Sequence, residues 1–256
     1  MGRALIVPAN PEAIFLPFQA AWIEDTKRLK LMEKSRQIGI SWSTAYAADQ
    51  RTAVQGARYD QWVSSRDDIQ ARLFLEDCKL WAVAMNVVAQ DLGEQVIDET
   101  EKHTAYVLRF ANGRRIHSMS SNADAQAGKR GSRILDEFAL HPDPRKLWTI
   151  ASPGITWGGS LEVISTHRGS HNYFNSLVRE VKEGGNPKRI SLHTVTLQDA
   201  LDQGFLWKLQ QNLPVEDERQ EMAEAEDEAT KAKLNQIADE FDAHFKVWEE
   251  KLLRII

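Results

Sequence analysis

The spacing of hydrophobic and polar residues predicts strands that alternate with helices between residues 28 and 195. Short apolar segments predict the strands, and longer segments with apolar residues every three or four positions predict the helices. The predicted strands cover residues 28–33, 59–64, 104–110, 114–118, a segment that begins at 134, 161–165 and 189–195. The predicted helices cover residues 41–54, a segment after residue 67, 144–151 and 170–182. Such alternation favours an α/β fold with a doubly wound, mostly parallel sheet.

Two local signals add detail to this pattern. Asp67 stands where its carboxylate can cap the helix that follows the second strand. Asn112-Gly113 lies between two predicted strands, and Asn-Gly is the typical sequence of a tight hairpin turn. One antiparallel hairpin is therefore expected in the mostly parallel sheet.

The pattern changes after Pro214. Residues 215–256 contain 13 acidic and 6 basic residues and no Gly or Pro. Apolar side chains recur there at alternating steps of four and three, which predicts one apolar face on a helix. These side chains are Leu234, Ala238, Phe241, Phe245, Trp248, Leu252 and Ile255. We therefore predict a core domain over 1–214 and a C-terminal helical appendage over 215–256, which either packs on its own domain or mediates association with a second copy.

Composition and charge restrict the class of protein. The chain has 256 residues, 42% of them hydrophobic, and a formal net charge of −5. No apolar run approaches the roughly 18–20 residues that span a bilayer, so we expect no membrane association. Cys78 is the only cysteine, and the N-terminus lacks the pattern of a signal peptide, which together favour the cytoplasm. The acidity argues against a nucleic-acid partner, but residues 1–214 carry 26 basic and 24 acidic residues, which permits contact with DNA.

A candidate phosphate-binding loop runs from Lys34 to Ser41 with the sequence KSRQIGIS. The standard loop, G-x-x-x-x-G-K-[ST], wraps phosphates with backbone N–H groups, neutralises charge with its lysine and binds Mg²⁺ through its hydroxyl. Gly39 and Ser41 occupy the second glycine and the hydroxyl positions, whereas Ile40 replaces the lysine. Lys34 therefore brings a cation to the opposite end of the loop, and Arg36 is a second candidate. The alternative is an ordinary glycine turn before a helix.

Two adjacent carboxylates, Asp136 and Glu137, follow the apolar pair Ile134-Leu135. In nucleotide hydrolases one carboxylate at the end of a strand supports Mg²⁺ and another polarises the attacking water. Because side chains alternate between the faces of a strand, both serve one site only if the strand ends there. The alternative is that Asp136 and Glu137 stabilise the N-terminus of a helix. Taken with the loop, the order of elements favours a nucleotide hydrolase.

Four segments together resemble the large terminase subunit of tailed bacteriophages, and most of all its Mu-type prophage branch. They are FLPFQAAW, KSRQIGIS, RILDEFA and VISTHRG, and the similarity extends over residues 15–201. The resemblance implies a P-loop NTPase fold of the ASCE type that hydrolyses ATP with Mg²⁺ to move double-stranded DNA into a procapsid. It also implies the small terminase subunit and the portal protein as partners, and the possibility of a homo-oligomer.

The same resemblance implies roles for residues of the nucleotide site. Gln19 matches the residue that reads adenine, Asp136 the Mg²⁺ carboxylate and Glu137 the catalytic base. Ser41 matches the Mg²⁺ ligand of the loop. The residues that match the phosphate loop are Lys34, Ser35, Arg36, Gln37, Gly39, Ile40 and Ser41. Without the resemblance, Gln19 could equally belong to a surface helix.

Further roles concern coupling and the stabilisation of phosphoryl charge. Ser165 and Thr166 match the motif that couples hydrolysis to DNA movement, although His167 stands where the family often has Pro. Arg36 is a candidate to stabilise the transferred phosphoryl group. Arg130 is a candidate finger that reaches a neighbouring subunit's nucleotide, with a contact to DNA phosphate as the alternative.

Two other functions remain open alongside an ATPase. The large terminase subunit continues into a metal-dependent nuclease domain, and we expect no nuclease here because no carboxylate or histidine cluster has suitable spacing. One alternative is therefore a non-enzymatic or relic terminase fragment that acts as an assembly module through its helical tail. A helicase shares the glutamine and Asp-Glu motifs but needs a second motor domain, so we rank it last.

Overall fold

The computed structural model describes residues 6, 8–10, 12–98, 103–156 and 158–211. The strands are β1 (Leu29–Lys34), β2 (Gln61–Ser64), β3 (Ala89–Asp98), β4 (His103–Phe110), β5 (Arg115–Met119), β6 (Ser132–Leu135), β7 (Leu161–Ser165) and β8 (Ser191–Val195). The α-helices are α1 (Pro17–Glu24), α2 (Ile40–Ala53), α3 (Asp68–Ala84), α4 (Pro144–Ala151), α5 (Tyr173–Lys182), α6 (Leu197–Asp202) and α7 (Phe205–Gln211). Short 3-10 helices cover Asp124–Gln126, Phe138–Leu140 and Ser152–Ile155.

The strands form one eight-stranded sheet in the order β3-β4-β5-β2-β6-β7-β1-β8. Every neighbouring pair from β5 to β8 is parallel, and the pairs β3–β4 and β4–β5 are antiparallel. The predicted mostly parallel sheet is confirmed. Because β1, β2, β6, β7 and β8 run in the same direction, the segments that follow them leave from one edge of the sheet.

Helices pack on both faces of the sheet, as a doubly wound fold requires. On β1, Leu31 belongs to a buried cluster with Leu147 of α4 and Phe174 of α5. The preceding residue, Lys30, contacts the C-terminal end of α1 instead, where its Nζ donates to the carbonyl of Trp22 at 2.7 Å. Alternate side chains of one strand thus reach helices on opposite faces.

Several predicted elements agree closely with the structure. The predicted helix 144–151 and strand 161–165 have the bounds of α4 and β7. Asp67 caps α3, since its side chain accepts a hydrogen bond from the backbone N–H of Gln70 at 2.9 Å. The Asn112-Gly113 turn joins β4 to β5, with Gly113 at a φ of 83°.

Several predicted boundaries are wrong, and one of them affects the site. A strand does not begin at Ile134-Leu135; those residues end β6, which starts at Ser132. The helix predicted over 170–182 begins only at Tyr173, because the side chain of Asn172 accepts from the N–H of Phe174 and caps it there. Both differences arise from local side-chain and backbone geometry that apolar periodicity does not encode.

The other differences concern strand starts and elements without a clear apolar pattern. The strands predicted over 59–64 and 189–195 start two residues later, and Arg189 adopts a left-handed φ of 54° just before β8. Sequence periodicity did not predict α1, β3, α6 or α7. Strand β3 lies at the edge of the sheet, and its exposed, mostly polar residues carry no strand signal. The appendage predicted over 215–256 lies outside the described residues.

A buried charge network holds α1 against the sheet. Lys30 Nζ of β1 lies 3.5 Å from Glu162 Oε2 of β7, and both side chains are 1% exposed. Arg51 of α2 contacts Glu162 Oε1 at 2.5 Å. Because Lys30 also donates to the carbonyls of Trp22 and Asp25, its ammonium group keeps several partners in the interior. The network therefore joins α1, β1, α2 and β7.

Contacts divide the chain into two units, one of residues 10–203 and the other of residues 1–9 with 204–256. The sheet and all the helices from α1 to α6 belong to the first unit. Among the helices that the structure describes, none combines the length and apolar character needed to cross a membrane.

One carboxylic acid of the core is buried beside a thiol. Asp49 of α2 is fully buried, and neither of its carboxylate oxygens has a nitrogen or oxygen partner among the described residues. The Cys78 thiol of α3 lies beside it. Burial raises the pKa of Asp49 to about 8, an effect that the thiol partly offsets. The folded protein therefore binds a proton here that the unfolded chain releases at neutral pH.

This proton makes the stability depend on pH, and Asp49→Asn removes the dependence. Between the unfolded pKa of 3.8 and the folded pKa of about 8, unfolding releases one proton. The free energy of unfolding then falls by about 1.4 kcal/mol per pH unit from this group. Urea unfolding from about pH 6 to about pH 8 should show Asp49→Asn gaining stability over the wild type as the pH rises. The exposed Asp124→Asn is the control, and a constant difference between Asp49→Asn and the wild type would contradict the assignment.

Candidate functional site

The candidate site lies at the edge of the sheet where the parallel strands end. Strand β1 leads into the loop of residues 35–39, β6 into Asp136-Glu137 and β7 into Thr166. Strand β7 pairs with both β1 and β6, so these three segments emerge side by side. Such an edge is where ligands bind in open α/β sheets.

The loop of residues 35–39 turns the chain from β1 into α2. Its entry is fixed by the backbone N–H of Ser35, which donates to the carbonyl of Val195 in β8 at 2.9 Å. Gln37 and Gly39 adopt left-handed φ values of 55° and 75°, and α2 begins at Ile40. The first N–H groups of an α-helix have no partner within the helix, and here they face the tight turn that precedes the 14-residue α2. This is the arrangement of an anion-binding loop.

Gln19 of α1 lies directly against this loop. Its Nε2 donates to the carbonyls of Ile38 and Gly39 at 3.3 and 3.2 Å, while its Oε1 accepts from the N–H of Leu16 at 3.0 Å. Gln19 is 5% exposed, so it does not belong to a surface face of a helix. A Cβ at Gly39 would come within 2.6 Å of Gln19 Nε2, which explains a glycine here in addition to the positive φ. The predicted adenine-reading residue is thus part of the loop's support.

Asp136 meets the C-terminal end of the loop. Its Oδ1 accepts a hydrogen bond from the hydroxyl of Ser41, the second residue of α2, at 2.9 Å. Its backbone N–H donates to the carbonyl of Ser64 in β2 at 2.9 Å, which fixes its position after β6. Burial raises the pKa of Asp136 to about 6, and the nearby Glu137 acts in the same direction, whereas Lys34 and the Ser41 hydroxyl oppose the rise.

Glu137 meets the other end of the loop. Its Oε1 lies 2.7 Å from Lys34 Nζ, with the two side chains 22% and 4% exposed. The φ of Glu137 is 49°, so the chain turns sharply after Asp136 and both carboxylates face the loop. Although a 3-10 helix follows at Phe138, the Glu137 side chain makes no capping hydrogen bond to it. The Glu137 carboxylate therefore does not cap the N-terminus of this helix, which was the alternative role.

The segment after Glu137 is bonded to the end of β7. The hydroxyl of Ser165 accepts from the backbone N–H of Ala139 at 2.9 Å and donates to the carbonyl of Thr166 at 2.9 Å. Asn172, at the start of α5, donates to the carbonyl of Ala139 at 3.0 Å. The predicted coupling residues Ser165 and Thr166 are therefore linked through hydrogen bonds to the segment that carries Glu137.

A cavity of about 580 Å³ opens between the loop, Glu137 and Thr166. Its lining residues are Arg36, Gln37, Arg66, Gln70, Glu137, Leu140, Thr166 and Arg168. Arg66 and Arg168 were not predicted from the sequence. Both arginines lie within three residues of the end of a strand, Arg66 after β2 and Arg168 after β7. In an α/β sheet, that position next to the candidate loop could have indicated them. We name this space the arginine cavity.

The three arginines of the arginine cavity differ in their partners. Arg66 is paired with the carboxylate of Asp67 at 2.7 Å. Arg36 and Arg168 are exposed, and neither makes a hydrogen bond or an ion pair with another residue of the described ranges. Two cations without a carboxylate partner next to Glu137 form a site suited to an anion.

Arg130 lies apart from this cavity. It precedes β6 by two residues, whereas Asp136 and Glu137 follow β6 directly, so Arg130 is at the opposite end of the strand. Its carbonyl accepts a hydrogen bond from Trp62 Nε1 at 3.0 Å, and its side chain is exposed. The geometry therefore gives Arg130 no role at the nucleotide site of its own chain, and the finger that reaches a neighbour stays a prediction.

The residues present fit Mg²⁺. Among the described residues no three His, Cys, Asp or Glu side chains converge as a metal cage would require. Mg²⁺ needs only one or two protein oxygens when phosphates and water supply the others. The Ser41 hydroxyl and the Asp136 carboxylate are adjacent oxygen donors of this kind. Burial raises the pKa of Asp136, and a cation bound here would lower it again by favouring the ionised form.

Comparisons with known proteins show the family of the chain. The family model described as the N-terminal part of the T4-like type of terminase large subunit matches residues 31–239. Protein gp28 of the Mu-like prophage FluMu in Haemophilus influenzae is 33% identical over 210 residues, which are 80% of this chain and 40% of that protein. The probable terminase large subunit gp28 of Escherichia phage Mu is 35% identical over 207 residues, 77% of this chain and 37% of that protein. The chain thus spans less than half the length of these relatives.

Solved structures show the same fold at low sequence identity. The large terminase of a thermophilic bacteriophage has a TM-score of 0.57 and 13% identity, over 79% of this chain and 52% of that one. It has also been solved with ADP and with ATP-γ-S. The large terminase ATPase domain of Thermus phage P74-26 has a TM-score of 0.50 and 20% identity, over 80% of this chain and 90% of that domain. The chain belongs to the phage terminase large subunit family, is most like its Mu-type members among the relatives compared, and has the fold of the terminase ATPase domain.

Proposed function

We propose that this chain is the ATP-hydrolysing domain of a Mu-type DNA-packaging motor. One observation carries the proposal: two adjacent carboxylates meet the two ends of one anion-binding loop, Asp136 at Ser41 and Glu137 at Lys34. A site for hydrolysing a nucleoside triphosphate needs an anion cradle, a metal-binding oxygen pair and a carboxylate for water, and these residues supply all three. Because the chain belongs to the terminase family, we propose that it hydrolyses ATP as a terminase does.

The nucleotide binds with its phosphates in the loop of residues 35–39 and its base near α1. Backbone N–H groups of the loop and of the first turn of α2 bind the phosphates. Gln19 reads the adenine, a role that its hydrogen bonds to the carbonyls of the loop support. The complexes of the thermophilic bacteriophage's terminase with ADP and ATP-γ-S support nucleotide binding in this fold.

Hydrolysis in this site is mainly positioning and electrostatics. The oxygen of a water molecule bonds to the γ-phosphorus while the bond to the bridging oxygen breaks, and ADP leaves with that electron pair. Glu137 orients the water and accepts its proton, and Lys34 holds the Glu137 carboxylate at the loop. Arg36 stabilises the charge on the transferred phosphoryl group. Mg²⁺, held by Ser41 and Asp136, would neutralise charge on the phosphate oxygens.

The change at the phosphate reaches DNA through the end of β7. Ser165 is hydrogen-bonded to Ala139, two residues after Glu137. A shift of the Glu137 carboxylate is therefore transmitted to Ser165-Thr166. We include double-stranded DNA, the small terminase subunit and the portal protein as partners, and a ring of several copies in which Arg130 reaches the neighbour's nucleotide. If a neighbour supplies the finger, we expect an isolated chain to turn over slowly.

Glu137→Gln should stop ATP hydrolysis and leave nucleotide binding in place. The substitution removes the proton acceptor but not the phosphate loop, so we expect turnover to fall by about 100-fold or more while the affinity for ADP changes little. Steady-state phosphate release and calorimetry measure the two quantities, with and without double-stranded DNA. Glu183→Gln, on an exposed carboxylate of the same chain, is the control. Hydrolysis by Glu137→Gln at the wild-type rate would remove Glu137 from the mechanism.

Lys34→Ala should weaken binding as well as turnover, because Lys34 serves both the loop and Glu137. We expect a rise in KM for ATP together with a lower kcat, in contrast to Glu137→Gln, where kcat alone falls. Measuring both variants under one set of conditions separates these roles. An unchanged KM in Lys34→Ala would show that this lysine acts only through Glu137.

Gln19→Ala should reduce the preference for adenine. If Gln19 reads the base, its loss raises KM for ATP by about 10-fold, the value of one or two hydrogen bonds, and affects GTP much less. The ratio of kcat/KM for ATP and GTP in both proteins is the measurement. An equal loss for both nucleotides would mean that Gln19 supports the loop without reading the base.

A further inference from the structure

Arg168 is a cation of the arginine cavity to which the terminase resemblance assigns no role. It follows Thr166 by two residues in the segment after β7, and its side chain lines the same space as Glu137 and Thr166. Unlike Arg66, which is paired with Asp67, Arg168 has no hydrogen-bond or ion-pair partner in the described parts of the chain. An unpaired guanidinium at the wall of a cavity that also holds Glu137 can serve an anion in that cavity.

The side chain of His167, the residue before Arg168, contacts strand β1. His167 Nε2 lies 2.5 Å from Glu33 Oε1 of β1, the strand that leads into the phosphate loop. Lys182 and Thr194 also bind the Glu33 carboxylate, at 2.6 and 2.7 Å, so that carboxylate is itself held in place. Ser165 is hydrogen-bonded to Ala139, and His167 is hydrogen-bonded to Glu33. These two contacts hold the segment that leads to Arg168.

We propose that Arg168 is a catalytic residue of this chain's own site that binds the γ-phosphate of ATP, and that the His167–Glu33 contact positions it. This inference rests on the proposed ATP hydrolysis. The arginine cavity has the phosphate loop residues Arg36 and Gln37 on one side and Glu137 on another, which is where a phosphoryl group passes to water. Arg168 gains and loses no proton there. It stabilises negative charge on the phosphoryl oxygens as the bond to ADP breaks.

The position of Arg168 also connects this charge to the coupling segment. A guanidinium that binds the γ-phosphate is drawn towards the loop when ATP is present and is released when phosphate leaves. Because Arg168 belongs to the same short segment as Ser165 and Thr166, its movement acts directly on those residues. Departure of the γ-phosphate is thereby sensed by the same segment that carries the change towards DNA.

The test compares Arg168→Ala and Arg168→Lys with the wild type in the 256-residue chain. We expect Arg168→Ala to lower kcat by about 100-fold, as the loss of one charged donor to a transition state does. The affinity for ADP should remain within about twofold, whereas the affinity for ATP-γ-S, which has a γ-phosphoryl group, should fall by about 10-fold. Arg168→Lys keeps the charge without the planar donors and should recover part of the rate. Arg179→Ala removes an exposed arginine paired with Glu183 and is the matched control.

The outcomes separate this inference from the proposed function. An active wild type together with an Arg168→Ala variant of equal kcat overturns the role of Arg168 alone. Equal losses of affinity for ADP and ATP-γ-S overturn it too, since a γ-phosphate contact cannot affect ADP. A loss confined to DNA-stimulated hydrolysis, with the basal rate intact, assigns Arg168 to DNA instead. A wild type that neither binds ATP-γ-S nor hydrolyses ATP overturns the proposed function, and this inference with it.

The positioning role of His167 has its own measurement. His167→Ala should lower kcat by about 10-fold with KM for ATP nearly unchanged, because the phosphate loop is intact while Arg168 is less well held. His167→Gln keeps a donor for Glu33 and should restore most of the rate. If both variants lower kcat equally, or if neither does, the His167–Glu33 contact does not position Arg168.

Discussion

The site depends on the end of β6 at Leu135. Along a strand, Asp136 and Glu137 would point to opposite faces of the sheet, and only one of them could reach the phosphate loop. The strand ends one residue earlier, and the left-handed φ of Glu137 turns its side chain towards Lys34 while Asp136 contacts Ser41. The cost of that backbone conformation, about 1 kcal/mol or more, is offset by the ion pair that it permits.

Sequence periodicity could predict most strands and helices of the sheet domain because their buried residues recur at regular spacings. It could not predict Gln19 against the loop, since that contact depends on how α1 packs. Phe18 and Trp22 of α1 are buried, and the carbonyl of Trp22 accepts from the buried Lys30. Nor could it predict Arg66 and Arg168, which lie about a hundred residues apart in the chain and meet only because β2 and β7 flank β6 in parallel. The resemblance supplied roles, but the sheet order brought the residues together.

Net charge was a poor guide to the anion site because the relevant charges are local. The chain as a whole is acidic, yet one cavity holds three arginines and one glutamate. Low exposure strengthens the ion pair of Glu137, since the side chain of its partner Lys34 is 4% exposed. Arg36 and Arg168 keep their charge available for a ligand, and this local excess of positive charge is what a triphosphate requires.

The displaced lysine of the phosphate loop can now be explained by geometry. Ile40 stands where the usual lysine is found, and it is 1% exposed, so it serves the core while its carbonyl accepts from Ser43 and Thr44 in α2. Lys34 is instead the last residue of β1, a strand paired on both sides. A cation at the end of a strand that pairs on both sides is held rigidly, and it stands next to the carboxylate that follows β6. A lysine at the start of the loop instead of its end therefore keeps a cation beside the loop and adds a direct contact with Glu137.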